Sequence, residues 1–131
     1  MRAILVAMVS ALATFGAVAQ ETGEKVTGEE LRSLVTGAKV VHVNSNGSVR
    51  RWTNEPDGGL VASTTNEKYG SAMSRTSSHP GKWSINGDGK FCLDIDWNRE
   101  AEKWCAFIIK AADGGYYIGS VKPGRKIEFS R

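Results

Sequence analysis

The chain has few of the residues that usually form catalytic sites, metal sites and nucleic-acid-binding surfaces. Among its 131 residues there are only two cysteines and two histidines, and Lys and Arg number 17 against 14 Asp and Glu. A net charge of +3 without a basic run does not favour nucleic acid as a partner. Two cysteines are too few for a structural zinc site. The composition therefore predicts no metal, no cofactor and no nucleic-acid partner.

Catalytic motifs are equally scarce. His42 lies in an apolar stretch typical of a strand, His79 precedes a proline, and nothing resembles a nucleophile elbow. Asp94 and Asp96 would share one face of a strand at about 7 Å, a spacing open to a paired-carboxylate hydrolase or a calcium ion. Lys103 would lie directly across from Asp94, so a cross-strand ion pair explains the acids without chemistry. We predict no catalytic residue and keep the hydrolase as the less favoured alternative.

The chain has one long apolar run, from Ala3 to Val18, behind the positively charged start Met1-Arg2. Ala17-Val18-Ala19 supplies the small residues that a signal peptidase requires, and charge returns at Glu21. The run is shorter than the roughly 20 residues needed to span a bilayer. We therefore predict a cleaved signal peptide over 1–19 and no membrane span after its removal.

The remaining chain fits one domain. We predict a flexible leader over 20–26 and a single β domain over 27–131. An exported protein meets an oxidising compartment, so Cys92 and Cys105 are predicted to form a disulfide and the protein to be periplasmic or secreted.

The local pattern predicts a mainly β fold with one short helix. Thr27 and Glu30 match a capping box, apolar residues at helical spacing follow, and Gly37 is suited to end a helix over 28–36. Fifteen glycines and three prolines suit tight turns between short strands. The predicted strands are 38–44, 48–54, 60–65, an irregular one near 70–77, 82–85, 90–97, 103–110, 116–120 and 126–130, with a loop at 79–81. We expect an antiparallel meander that closes as a small barrel or sandwich of seven to eight strands.

The cysteine pair fixes the register of one predicted hairpin. If Cys92 faces Cys105, then Leu93 faces Trp104 and Phe91 faces Ala106, because paired positions have a constant sum. Alternation along the strands then puts the large apolar residues on one face. That face is predicted to comprise Phe91, Leu93, Ile95, Trp97, Trp104, Ala106 and Ile108.

The aromatic residues supply the candidate binding surface. Trp52 beside Arg51, and the Tyr116-Tyr117 pair, are the better candidates for an exposed surface, where aromatic rings stack on sugars or anchor proteins, although a place in the core is favoured for any single aromatic residue. Trp83 is a further candidate, although Trp83, Trp97 and Trp104 are first predicted to build the core or its rim.

One stretch resembles a known family. The residues are Gly81-Lys82-Trp83, Cys92-Leu93, Trp97, Trp104-Cys105 and Gly115-Tyr116-Tyr117. This pattern resembles small exported proteobacterial proteins grouped as domain-of-unknown-function family 995. The resemblance implies a disulfide-bonded β fold and an exported location, and it implies no catalytic residue.

Two non-enzymatic functions follow as expectations. The first is an exported binding module for an envelope protein or glycan, with an exposed aromatic patch. The alternative is a small-ligand carrier with a pocket inside the barrel, lined by residues such as Trp83, Phe91 and Trp104.

Overall fold

A computed structural model describes residues 23–66, 77–98 and 100–131, and these form one antiparallel sheet and one short helix. The predicted signal peptide and most of the predicted strand near 70–77 lie outside the described residues. Within the described residues, no helix is long and apolar enough to cross a bilayer. The elements are β1 Glu24–Val26, α1 Gly28–Val35, β2 Lys39–Val43, β3 Ser48–Thr53, β4 Gly59–Asn66, β5 Ser77–Ile85, β6 Phe91–Asp96, β7 Ala101–Ala106, β8 Ile108–Lys110, β9 Tyr116–Ile118 and β10 Lys126–Ser130.

The sheet is strongly curled into a rough half-barrel. Its strand order is β1-β8-β9-β10-β2-β3-β4-β5-β6-β7. Only Phe107 separates β7 from β8 along the chain, yet these strands lie near opposite ends of the order, so the two ends of the sheet must approach each other. The prediction of a mainly β, antiparallel fold is confirmed, and the predicted small barrel or sandwich fits the half-barrel roughly. The strands from β2 to β7 and from β8 to β10 form two meanders, which join where β10 pairs with β2.

The described sheet has ten strands rather than seven or eight, for two reasons. The predicted strand 103–110 divides at Phe107, whose carbonyl accepts a hydrogen bond from the N–H of Gly119 at 2.8 Å. In addition, Glu24–Val26 of the predicted leader pairs with β8 as an edge strand, and Val26 is buried. The ordered sheet therefore begins before residue 27.

One end of the half-barrel is closed by α1. Leu31 and Val35 of this helix are fully buried in the core. Asn54, also fully buried, accepts a hydrogen bond from Nε1 of Trp52 at 2.8 Å and donates to the carbonyl of Val35 at 3.0 Å. Its amide thus satisfies a buried indole and adds a second hydrogen bond to a carbonyl at the helix end, which also accepts from the N–H of Ala38. Thr27 is the N-cap residue of α1, as predicted, but its side chain makes none of the hydrogen bonds of a capping box.

The predicted loop at 79–81 is wrong, because β5 runs through it. His79 and Pro80 pair with β4, whereas β6 pairs with β5 only from Gly81 onward. Pro80 therefore lies where the strand has one neighbour, a position that tolerates a missing N–H. A side chain at Gly81 would come within 2.6 Å of the carbonyl oxygen of Asp94, so glycine permits this close approach.

The hairpin register deduced from the cysteines is confirmed. Cys92 pairs with Cys105 and the two are disulfide-bonded, Leu93 pairs with Trp104, and Phe91 pairs with Ala106. Phe91 and Leu93 are almost completely buried. The face predicted from alternation is the one that builds the core.

Candidate functional site

The end of the half-barrel away from α1 contains a cavity of about 610 Å³. Along β2 and β3, the inward residues Val40 and Trp52 pair near the helix, and His42 and Arg50 pair one step further towards the open end. The latter pair lines the cavity. A smaller recess of about 300 Å³ continues past Arg50 to His79. The filled half of the interior is therefore apolar and the open half is polar.

An ion pair crosses this open end. The guanidinium of Arg50 on β3 donates to Oε1 of Glu102 on β7, and the two side chains are only 24% and 15% exposed. Strands β3 and β7 are not neighbours in the sheet. The pair therefore ties together two walls of the cavity rather than two adjacent strands.

Two tryptophans complete the surroundings of Glu102. Nε1 of Trp97 donates to Oε1 at 3.1 Å, and Nε1 of Trp104 donates to Oε2 at 2.8 Å. The Arg50 guanidinium also lies 5.6 Å from the Trp97 ring centre, within cation–π range. Both indole N–H edges are thus turned towards the carboxylate, and the carbon surfaces of the rings help to line the cavity.

His42 connects the cavity wall to the loop between β9 and β10. Its Nε2 lies 3.0 Å from the carbonyl oxygen of Gly124. Burial lowers the pKa of His42, and the nearby Arg50 and Arg125 act in the same direction, against the opposing effects of the Gly124 carbonyl and Glu102. The ring is therefore neutral at pH 7, and the carbonyl partner places the hydrogen on Nε2.

The lowered pKa of His42 predicts a pH-dependent stability. An unfolded chain binds this proton at its ordinary pKa of about 6.5, whereas the folded chain binds it only at lower pH. The contribution of neutral His42 to the free energy of unfolding is therefore complete above about pH 6.5 and is lost as the pH falls towards the pKa of His42 in the folded chain. Urea unfolding at pH 7.5 and 5.5 should show a larger loss for the wild type than for His42→Gln, and equal losses would contradict the assignment.

The candidate binding residues predicted from sequence lie in different parts of the structure. Trp52 is only 5% exposed, so it has the core position that was favoured for any single aromatic residue and is not the exposed candidate. Its ring faces inward, and its indole N–H donates to Asn54. Arg51, its neighbour, points the other way and is exposed. The ring of Tyr116 packs edge-on against Phe129 at 5.8 Å. These side chains do not form one patch.

The remaining candidates are only half-exposed. Trp83 is anchored through Nε1 to the carbonyl of Glu55 at 2.7 Å and stacks on Phe91 at 6.3 Å. Tyr117 is half-buried and alternates with the inward-facing Tyr116 and Ile118. Neither Trp83 nor Tyr117 lines the cavity.

Asp94 and Asp96 lie on the outer face of the hairpin, away from the cavity. Asp94 is paired in register with Lys103, as predicted, but the expected ion pair between their side chains is not among the salt bridges of the described residues. Asp96 accepts a hydrogen bond from the N–H of Asn98 at 3.0 Å, as in an Asx turn. Across the described ranges, no group of three His, Cys, Asp or Glu side chains could hold a metal ion.

Glu102 and Arg50 were missed as site residues, although part of the signal was present. The Asn46-Gly47 turn sets His42 opposite Arg50, and alternation puts Glu102 on the same face as Trp104. However, the predicted strand begins only at Lys103, whereas β7 begins at Ala101. The meeting of β3 with β7 depends on the curl of the whole sheet, which no local pattern encodes.

Comparison with known proteins gives one family. A family model described as "Protein of unknown function (DUF995)" matches residues 4–108. No curated protein and no solved structure matches the chain. The matched range contains the Arg50–Glu102 pair and both cavity tryptophans, and it ends before Gly115-Tyr116-Tyr117.

Proposed function

We propose that this chain, which belongs to the DUF995 family, is an exported, non-catalytic binding protein whose open cavity takes a saccharide unit of an envelope glycan. The observation that carries the proposal is the cavity of about 610 Å³ built around Arg50 and Glu102. Its volume is in the range of about 300–1,000 Å³ that is usual for small-ligand sites.

The charges of the cavity favour a ligand without a strong net charge. Arg50 is balanced by Glu102 within the interior, and Arg125 and Glu100 both line the rim. A strongly anionic or cationic ligand would find no side chain of opposite charge that is not already balanced by a neighbour. Hydroxyl groups, in contrast, can both donate and accept hydrogen bonds among these side chains.

The aromatic lining supports a saccharide in particular. A sugar ring presents apolar C–H faces and polar edges, and aromatic side chains with an apolar body and a polar handle suit such a ligand. Trp97 and Trp104 have their N–H groups engaged by Glu102, which fixes the ring orientation. A preorganised lining reduces the ordering cost of binding.

The same geometry favours binding over acid–base catalysis. The two oxygens of Glu102 already accept from Arg50, Trp97 and Trp104. A carboxylate occupied in this way is a poor partner for a substrate proton.

The carrier alternative with a deep pocket has less support. Phe91 is fully buried, and its ring packs against Trp83 at 6.3 Å and against Trp104 at 5.9 Å. Side chains therefore fill that part of the interior, whereas the cavity around Arg50 and Glu102 is at the open end.

An exported location has two supports. The first is the signal pattern over 1–19, and the second is the Cys92–Cys105 disulfide, a bond that persists in oxidising compartments and is rare in the cytosol. We accordingly propose the periplasm or the exterior as the place of action.

Calorimetric titration with the trimer of N-acetylglucosamine and with maltotriose tests the proposal. We expect at least one to bind the wild type, and Trp97→Ala to weaken that affinity about tenfold through loss of ring contact. Trp83→Ala, which alters a tryptophan outside the cavity, should leave it unchanged. Binding of neither sugar, or equal effects of the two substitutions, would contradict the proposal.

A further inference from the structure

Strand β7 is an edge of the described sheet. Over the described residues it pairs only with β6, through the register from Phe91–Ala106 to Asp96–Ala101. A free edge presents unpaired N–H and C=O groups to any chain that can extend the sheet.

Hydrogen-bonded and non-hydrogen-bonded pairs alternate along β6 and β7, and this alternation shows which backbone N–H and C=O groups of β7 have no partner on β6. Cys92 and Cys105 have Cα atoms 4.0 Å apart, the close spacing of a non-hydrogen-bonded antiparallel pair. The alternation makes Trp97 and Glu100 a hydrogen-bonded pair, and the N–H of Trp97 does donate to the carbonyl of Glu100 at 3.0 Å. The backbone groups of Ala101, Lys103 and Cys105 therefore point away from β6.

The space beside this edge is open. Ala101, Glu102 and Trp104 of β7 form one side of the cavity, and the loop at Pro123–Arg125 forms the other. Strand β9 ends at Ile118, so it does not continue alongside β7. A segment lying on β7 would extend the sheet and turn alternate side chains into the cavity.

The outer face indicates the chemistry of the segment. One row of paired residues runs from Lys82 on β5 through Asp94 on β6 to Lys103 on β7, so the charges alternate towards the edge. An acidic residue on the added strand would continue the alternation. A second copy of β7, pairing Ala101 with Cys105, would instead set Lys103 against Lys103.

We propose that β7 is a docking edge for an extended peptide of a partner protein, bound by β-strand addition with an acidic residue opposite Lys103. The main chain of β7 supplies the hydrogen bonds, and the alternate side chains supply selectivity. The proposal does not rest on saccharide binding, because it is carried by the main chain of β7 and by Lys103, which does not line the cavity. The alternate side chains of a docked strand would enter the same cavity, so the peptide and a saccharide would compete for it.

Lys103→Pro tests the edge directly. It deletes an N–H that points away from β6, so the β6–β7 bonds remain and the edge position tolerates proline. Octapeptides selected from a random phage library on the wild-type domain, and then synthesised, are the probes. We expect selected peptides to carry Asp or Glu and to lose at least about tenfold in affinity with Lys103→Pro, compared with a few-fold with the control Lys103→Ala.

An N-methylated peptide keeps the test valid if the proline variant does not fold. Methylation of the peptide N–H that bonds the Lys103 carbonyl should abolish binding to the wild type, whereas methylation of the next residue should not. The proposal is overturned if no peptide is selected, if Lys103→Pro and Lys103→Ala bind equally, or if sedimentation shows a wild-type dimer that Lys103→Pro dissociates. Saccharide titration of Lys103→Pro should match the wild type.

Discussion

Replacement of Glu102 by alanine is expected to lower the free energy of unfolding by about 3 kcal/mol, the low end for breaking a buried ion pair. The change leaves the Arg50 guanidinium half-buried without its partner and removes the acceptor for the indoles of Trp97 and Trp104. An unpaired buried charge costs far more than the net gain from the original pair. Urea denaturation measures this loss.

Two controls separate this cost from the general effect of losing a carboxylate. Glu100 lines the same rim but is exposed, so Glu100→Ala should change stability by less than about 0.5 kcal/mol. The double variant Arg50→Met, Glu102→Leu should lose less than Glu102→Ala, because no buried charge remains. Equal losses for Glu102→Ala and Glu100→Ala would show that the pair does not connect the walls of the cavity.

Removal of the disulfide is the second large effect. The double variant Cys92→Ser, Cys105→Ser should lose about 3 kcal/mol, because the bridge spans a sequence separation of 13 and restricts the unfolded chain. It also secures the edge strand β7, which has one neighbour in the described sheet. Cys105 is exposed, so a reductant can reach the bond.

The measurement compares thermal unfolding with and without dithiothreitol. We expect the reductant to lower the melting temperature of the wild type to that of the double variant and to leave the variant unchanged. An unaffected wild type, under conditions in which free thiols are titrated after reduction, would contradict a stabilising role for the bridge.

The hairpin β6–β7 could be predicted from sequence because its constraints are local and covalent. The Cys92–Cys105 pair sets one register, and alternation then assigns every other side chain to a face. The last strand, 126–130, was predicted with its observed bounds because a proline-glycine turn precedes it.

The errors arise where distant residues decide the outcome. Trp52 lies next to two arginines, which made it a candidate for an exposed surface, but the buried Asn54 satisfies its indole and draws it inward. Pro80 suggested a loop, but β6 pairs with β5 only from Gly81 onward, so a residue without an N–H is tolerated in the strand at position 80. Local composition contains neither fact.

The candidate site was the least predictable part. Arg50 and Glu102 are 52 positions apart and meet because the whole sheet curls. Sequence could assign each to the inward face of a strand, but not to a common end of the half-barrel.

The central claim, that the open end binds a saccharide, is tested most directly by the indole N–H resonances of the four tryptophans. Trp97 and Trp104 donate to Glu102 in the cavity, whereas Trp52 donates to Asn54 below α1 and Trp83 to the carbonyl of Glu55. On titration of the ¹⁵N-labelled protein with the N-acetylglucosamine trimer or maltotriose, we predict shifts of Trp97 and Trp104 with Trp52 and Trp83 unmoved. Shifts confined to Trp83, or no shift with either sugar, would contradict the account.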